Sequence, residues 1–199
     1  MVKLKPEYYQ NSDVIFLAQD LLGKILFTKK NEEITAGIIT ETEAYFGEAD
    51  KASHAYGGLR TLRTEAMFQT GGYSYVYLCY GIHHLFNIVV SQENDPKSVL
   101  VRAVEPYEGL SVIESRRNRP ASDKTISSGP GSVCKALGID MKFNKKPLNG
   151  EEIWIEDSGL QYSQDDIAST PRIGVAYAGE HALLPFRFYL KKNRYVSKK

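Results

Sequence analysis

Apolar and polar residues alternate with a period of two through KILFTKK (24–30) and again through ITAGIITETEAY (34–45). That period puts successive side chains on opposite faces of a strand. The polar break at Asn31-Glu32-Glu33 reads as a hairpin turn between them. Ahead of this pair, Asn11-Ser12-Asp13 offers N-caps for an amphipathic helix over 13–22, closed by Gly23. Residues 73–79 and 84–91 predict a second strand pair, joined through Tyr80-Gly81-Ile82-His83. A further strand is expected over 98–104, ended by Glu105-Pro106 and followed by a helix over 107–117. Ser127-Ser128-Gly129-Pro130-Gly131-Ser132 is a turn that caps the helix VCKALGI. Residues 151–168 are acidic and read as loop, and RIGVAYAGE and PFRFYL read as closing strands. Residues 46–64, rich in Gly, Ala, Ser and charge, predict a long exposed loop, and such a loop in a compact domain is often functional. No repeat or linker interrupts the pattern, so residues 1–199 are expected to form one mixed α/β domain, of a size that buries a full core.

Composition narrows the classes. Net charge is +1, which lacks the basic excess of a dedicated nucleic-acid coat protein but leaves open binding through one face. Basic clusters at Arg116-Arg117-Asn118-Arg119, at Lys145-Lys146 and in the tail are each more simply solvated surface. The 13 tyrosines outnumber Phe and Trp together, which suits half-wet binding faces but equally suits edge strands. Cys79 and Cys134 have no zinc-ligand spacing and form no disulfide framework; both read as buried reduced thiols. The apolar stretch VIFLAQDLLGKILF is broken by Gln19, Asp20 and Lys24, too soon to span a bilayer, and MVKLKPEYYQ has no signal-peptide core. A reducing aqueous compartment is expected, the cytoplasm with its nucleoid, or the nucleus in a eukaryote.

The candidate chemistry lies in residues 41–92. On a strand, Glu41, Glu43 and Tyr45 share one face. A carboxylate beside aromatic rings loses water, its pKa rises, and it becomes a base suited to near-neutral pH. Spacing alone slightly favours a plainer reading, two surface glutamates on an edge strand. Tyr73, Tyr75 and Tyr77 share a face of the next strand, and Tyr80 falls at the hairpin tip. A bulky ring there suits a wedge that enters a base stack; a ring folded back on its own sheet is the ordinary alternative. His54, His83 and His84 lack partners at metal-ligand spacing, His181 reads as structural, and no nucleophile elbow is present. No metal or cofactor is expected. A glycoside hydrolase using Glu41 and Glu43, or a non-catalytic module that stacks bases on tyrosines, would also fit these residues.

Five ordered motifs decide further: ETEAYFGEADKASHAYGG, YVYLCYGIHHLFNIVV, VLVRAVEPYEGL, SGPGSVCKALGI, and RIGVAYAGE with PFRFYL. Together they resemble the alkyladenine (3-methyladenine, or methylpurine) DNA glycosylase family, over about residues 6 to 190. The resemblance implies an α+β fold: one domain with a curved antiparallel sheet, surrounding helices and a β-hairpin that enters the DNA minor groove. It implies a monomeric, monofunctional enzyme that flips a damaged purine from duplex DNA and hydrolyses its N-glycosidic bond, without a cofactor. By motif position, Glu43 is then the general base that activates water, and Glu41 is not. Arg102 and the Ile173 carbonyl hold that water. Tyr45, His54 and Tyr77 sandwich the flipped base, and Asn87 screens purines by their exocyclic amino group. Tyr80 intercalates, and Gly81, Ile82, His83, Thr61 and Met67 contact DNA. Ile82-His83-His84 departs from other members at the groove contacts.

Overall fold

A computed structural model describes residues 1–199. In chain order it contains β1 (Val2–Lys3), α1 (Pro6–Tyr9), α2 (Val14–Asp20), β2 (Ile25–Lys30), β3 (Glu33–Tyr45), β4 (Ser74–Cys79), β5 (His83–Val90), β6 (Lys97–Glu108), α3 (Leu110–Arg117), α4 (Pro130–Leu137), β7 (Ile153–Asp157), β8 (Ile167–Thr170) and β9 (Arg187–Leu190). All nine strands join one sheet in the order β1-β7-β2-β3-β6-β5-β4, with β9 pairing both β3 and β8. Every pairing is antiparallel. The α+β expectation holds.

The two alternating runs form the β2–β3 hairpin. Its turn places Asn31 and Glu32 at φ 51° and 63°, the left-handed pair that matches strand twist. Strand β3 is thirteen residues long and central, flanked by β6 on one side and by β2 and then β9 on the other. Glu41 and Glu43 are therefore not on an edge. The β3–β6 register shifts beside Gly37 and on both sides of Glu41, and such bulges re-aim side chains. Gly37 is required at the first shift, because a Cβ there would lie 2.5 Å from Val104 Cγ2.

The main core gathers Leu17, Leu21, Ile39, Val99, Val101, Ile113, Val133 and Leu137, so α2, α3 and α4 pack on the sheet. Asp13 caps α2 by accepting from the Phe16 amide at 2.9 Å. Thr42 faces this side and donates to the Ala18 carbonyl at 2.6 Å, as the alternation with Glu41 and Glu43 requires.

Several expectations are corrected. The loop 46–64 is not simply exposed: Gly47, Asp50, Ala52, Ser53, Ala55 and Thr64 are buried. Small side chains let this backbone pack closely, and Asp50 is pinned by Arg172 at 2.5 Å. Strand β6 continues through Pro106, which sits opposite Gly37 at a register shift where no regular ladder bond is needed; α3 starts only at Leu110. Residues 151–168 contain β7, buried through Ile153-Trp154-Ile155, and the start of β8. RIGVAYAGE forms no strand: Gly174 (φ 80°) and Gly179 (φ 58°) turn the chain, with short 3-10 turns over Ala176–Leu183. Cys79 is half-buried rather than buried, while Cys134 lies in the core. Tyr73 precedes β4 instead of sharing its face.

Candidate active site

A cleft of about 620 Å³ opens where β3, β4, β5 and β6 meet the 46–64 loop and the 172–177 turn. Tyr45, His54, Met67, Tyr77, Tyr80, His83, Asn87, Arg102 and Ile173 all line it. Glu43 lies directly behind this lining, with no solvent exposure. Thr61, Gly81 and Ile82 lie outside the lining, all three exposed.

Glu43 is held by three elements. Its Oε1 accepts from the Ile173 amide at 2.8 Å and faces Arg102 Nη1 at 3.2 Å; its Oε2 accepts from the Tyr45 hydroxyl at 2.8 Å. Thus Ile173 meets this carboxylate through its N–H. A carboxylate has roughly four acceptor positions, so Oε2 can still take a water proton. Burial pushes the Glu43 pKa up, and this outweighs Arg102, the Ile173 amide and Tyr45, which pull it down. Tyr45 is pushed well above its ordinary value, first by burial and then by the Glu43 charge, so it stays a donor.

Glu41, on the same face, has the opposite character. Burial would raise it too, but Arg102, Arg187 and Ser197 win and hold it below the usual carboxylate range. Arg102 Nε and Arg187 Nε both donate to its Oε1 at 2.8 Å. Glu41 is therefore held in its anionic form beside Arg102, and Glu43 is the carboxylate whose proton affinity is raised.

The aromatic wall is a linked set. His54 and Tyr77 meet edge to face, with centroids 4.6 Å apart, and Tyr75 and Tyr77 lie 5.4 Å apart. His54 Nδ1 is 2.8 Å from the Tyr75 hydroxyl, and Arg63 Nη2 donates to His54 Nε2 at 3.3 Å. Burial, with help from Arg63, lowers the His54 pKa to about 4, so the ring is neutral at pH 7. Asn87 is buried and donates from Nδ2 to the Tyr75 carbonyl at 3.2 Å, which fixes its amide at the floor. Met67 is buried in the small cluster beneath, with Ala55, Ala66, Phe68, Tyr75 and Val89.

At the hairpin tip, Tyr80 and Gly81 take φ 51° and 72°, and the Ile82 amide closes the turn on the Cys79 carbonyl at 3.1 Å. Tyr80 is 90% exposed and Ile82 72%; the ring is not folded back on the sheet. His83 packs against Gly131, where a Cβ would lie 3.0 Å from its Cγ, so the hairpin base abuts the start of α4.

Some site residues escaped the sequence. Arg63 lies 4.8 Å over the Tyr77 ring, and Arg172 lies 4.7 Å over the Tyr45 ring. Arg187 completes the pairing of Glu41. Arg63 sits in a loop with no periodicity to flag it. Arg172 and Arg187 lie in the RIGVAYAGE and PFRFYL motifs but find their partners only through long-range pairing. His181 accepts from the Lys51 amide at 3.2 Å, a structural contact. No group of three or more His, Cys, Asp or Glu is close enough to hold a metal ion.

The methylpurine-DNA glycosylase family profile matches residues 7–194 of this chain. A protein of Clostridium botulinum (strain Alaska E43 / Type E3) is 43% identical, with 98% of this chain aligned to 99% of the relative. One of Chlamydia abortus is 42% identical, over 94% of this chain and 97% of its own length. One of Clostridium perfringens (strain 13) is 40% identical over the whole of both. All three bear provisional names as 3-methyladenine DNA glycosylases.

Proposed function

The chain belongs to the methylpurine-DNA glycosylase family, and on that premise we propose that Glu43 is the base of the reaction and the β4–β5 hairpin the element that empties the DNA stack. The enzyme is a DNA glycosylase, a hydrolase of N-glycosyl bonds that acts on damaged DNA. In this reading Tyr80 enters the duplex and a damaged purine nucleotide rotates out. Unstacking costs a few kcal/mol, and least where damage has weakened pairing. The purine lies between Tyr45, His54 and Tyr77, where a neutral His54 can stack on a cationic N-methylpurine without charge repulsion. Asn87 meets its edge and disfavours purines with an exocyclic amino group there. The purines accepted are alkylated, deaminated or etheno-bridged: 3-methyladenine, 7-methylguanine, hypoxanthine and ethenoadenine. Thr61 and the Gly81-Ile82-His83 segment complete the DNA contacts; Met67, expected among them, is buried beneath the aromatic wall and backs the pocket instead.

A water between Glu43, Arg102 and the Ile173 main chain gives its proton to Glu43 as its oxygen bonds to C1′. The N-glycosidic electron pair leaves with the purine, and an intact abasic site remains. The Glu43 anion also faces the oxocarbenium-like charge that develops on the sugar. The observation that carries this reading is the contrast on one strand face. Glu41 is held by two arginines and Ser197 and stays ionised, while Glu43 keeps a free acceptor position and a raised proton affinity. The protein is expected to work as a monomer in the cytoplasm, at the nucleoid; no helix is long and apolar enough to cross a membrane.

Glu43→Gln keeps the shape and removes the base. Release of 3-methyladenine from methylated duplex should fall by about a hundred- to ten-thousandfold, with duplex binding within a few-fold. Borohydride should trap no covalent complex. An active Glu43→Gln enzyme beside an inactive Glu41→Gln enzyme would transfer the base to Glu41.

A further inference from the structure

The carboxylate that anchors Arg102 is completed by a residue beyond the matched family segment. Glu41 is fully buried and takes four hydrogen bonds. Two come from Arg102 and Arg187; the others come from the Ser197 amide to Oε2 at 2.6 Å and the Ser197 hydroxyl to Oε1 at 2.7 Å. The segment carrying Ser197 is docked along its length. Thr40 donates to the Tyr195 carbonyl at 2.6 Å, the buried Tyr195 donates through its hydroxyl to the Ala121 carbonyl at 2.8 Å, and Arg187 Nη2 donates to the Lys198 carbonyl. The family profile ends at residue 194.

We propose that Ser197 is a positioning residue for base excision: through Glu41 it fixes Arg102, and through Arg102 the carboxylate of Glu43. The inference rests on the reading of Glu43 as base. A buried carboxylate oxygen left without a donor is costly. The Ser197 amide is the one hydrogen-bond donor to Glu41 Oε2. With Ser197 present, Arg102 approaches Glu41 through Nε and leaves Nη1 for Glu43 at 3.2 Å. Without the amide Oε2 has no donor, and without the hydroxyl Oε1 keeps only the two arginines, so either loss draws Arg102 closer to Glu41. Arg102 Nη2 already lies 3.4 Å from the Ser197 hydroxyl, so the guanidinium turns further onto Glu41. Glu43 then loses its charge partner, its proton affinity rises again, and the water site loses one wall.

Three substitutions in the full chain separate the donors. Ser197→Thr keeps both, Ser197→Ala removes the hydroxyl, and Ser197→Pro removes the hydroxyl and the amide N–H. Single-turnover release of 3-methyladenine from methylated duplex should stay within about twofold for Thr. It should slow by about three- to tenfold for Ala and about ten- to a hundredfold for Pro. Duplex affinity should stay within about twofold in all three. If Ser197→Pro melts early, the Thr-against-Ala contrast still decides, because neither alters the backbone. Full rates for Ala and Pro overturn the proposal. So does a parallel loss of rate and duplex binding, which marks a merely structural role. An active Glu43→Gln enzyme removes the base reading and this inference together; an inactive one beside full-rate Ser197 variants removes this inference alone.

Discussion

At the floor of the cleft, Glu41, Glu43, Arg102 and Arg187 are buried and tied together by contacts of 2.8 to 3.2 Å from three strands. Some distance along the sheet, at the tip of the β4–β5 hairpin, Tyr80 is 90% exposed and held only by its own turn, in a left-handed backbone conformation that suits glycine or asparagine. On the proposed reading both places serve one reaction, and their different construction fits the different work assigned to them. Proton transfer needs groups desolvated and fixed in one geometry, so the floor is over-determined by its neighbours. A wedge of the kind proposed must reach into another molecule, and the tip accordingly forgoes packing and accepts a left-handed backbone. Damage at the floor should appear in the chemical step whatever the lesion's partner base. Damage at the tip should appear in the step that precedes it and should depend on pairing.

The strongest way to break the floor is Arg102→Met, which keeps bulk and removes charge. Glu41 keeps Arg187 and Ser197, but Glu43 loses its cation. Breaking one partner of a buried ion pair costs about 3–5 kcal/mol in stability, and excision at neutral pH should fall by about a hundredfold or more. The sign of the pH response checks the cause. The Glu43 pKa lies above its ordinary 4.5, through burial, despite Arg102, the Ile173 amide and Tyr45. Base activity is therefore present above the raised pKa and lost as pH falls through it. The stability linkage runs the other way: the Glu43 contribution is full below the unfolded value and lost as pH rises through the folded one. Removing Arg102 should move the acid limb of the pH–rate profile upward and let high pH restore part of the rate. An unmoved limb would detach Glu43 from the proton transfer.

Tyr80→Ala should spare the floor and lose the wedge. Unstacking costs a few kcal/mol, so single-turnover excision should fall by roughly ten- to a thousandfold, at about tenfold per 1.36 kcal/mol. The loss should be greatest for a well-paired lesion and shrink opposite a mismatch, where the base already leaves easily. Glu43→Gln should show no such dependence. The measurement is excision of one lesion opposite different partner bases by both variants. Equal losses for Tyr80→Ala across all partners would make the floor and the tip act on the same step.

The two regions were unequally legible in the sequence. The hairpin is written locally: period-two runs flank Tyr80-Gly81, and the turn needs no distant partner. The floor is not. Alternation placed Glu41 and Glu43 on one face but could not tell burial from an edge strand, because β6 and β9 supply Arg102 and Arg187 from far along the chain. The resemblance carried the choice of Glu43, and the opposite pKa directions of the two glutamates now supply a physical reason for it. RIGVAYAGE looks like a strand by composition, yet Gly174 and Gly179 bend it so that the Ile173 amide and the Arg172 side chain reach the site. The loop 46–64 reads as exposed because small residues resemble a linker, whereas here they allow close packing around Asp50.

The smallest expected effect sharpens the comparison most. If the tip trades stability for reach, relieving its strain should stabilise the protein while slowing it. Tyr80 at φ 51° precedes Gly81 at φ 72° in the three-residue connection between the paired Cys79 and His83, and asparagine tolerates the left-handed region that a bulky ring resists. The ring also contributes little packing to lose at 90% exposure. Tyr80→Asn should therefore raise stability by about 1 kcal/mol, which in a chain of this size is an increase in Tm of about 2–4 °C. Excision of a well-paired lesion should fall as for Tyr80→Ala. No substitution at Arg102 or Glu41 should show that opposition, because those groups are held by the contacts that also hold the fold. Thermal melting beside single-turnover excision tests both halves at once. An unchanged or lower Tm would mean that Tyr80 sits at the tip without strain, and that exposure alone separates the tip from the floor.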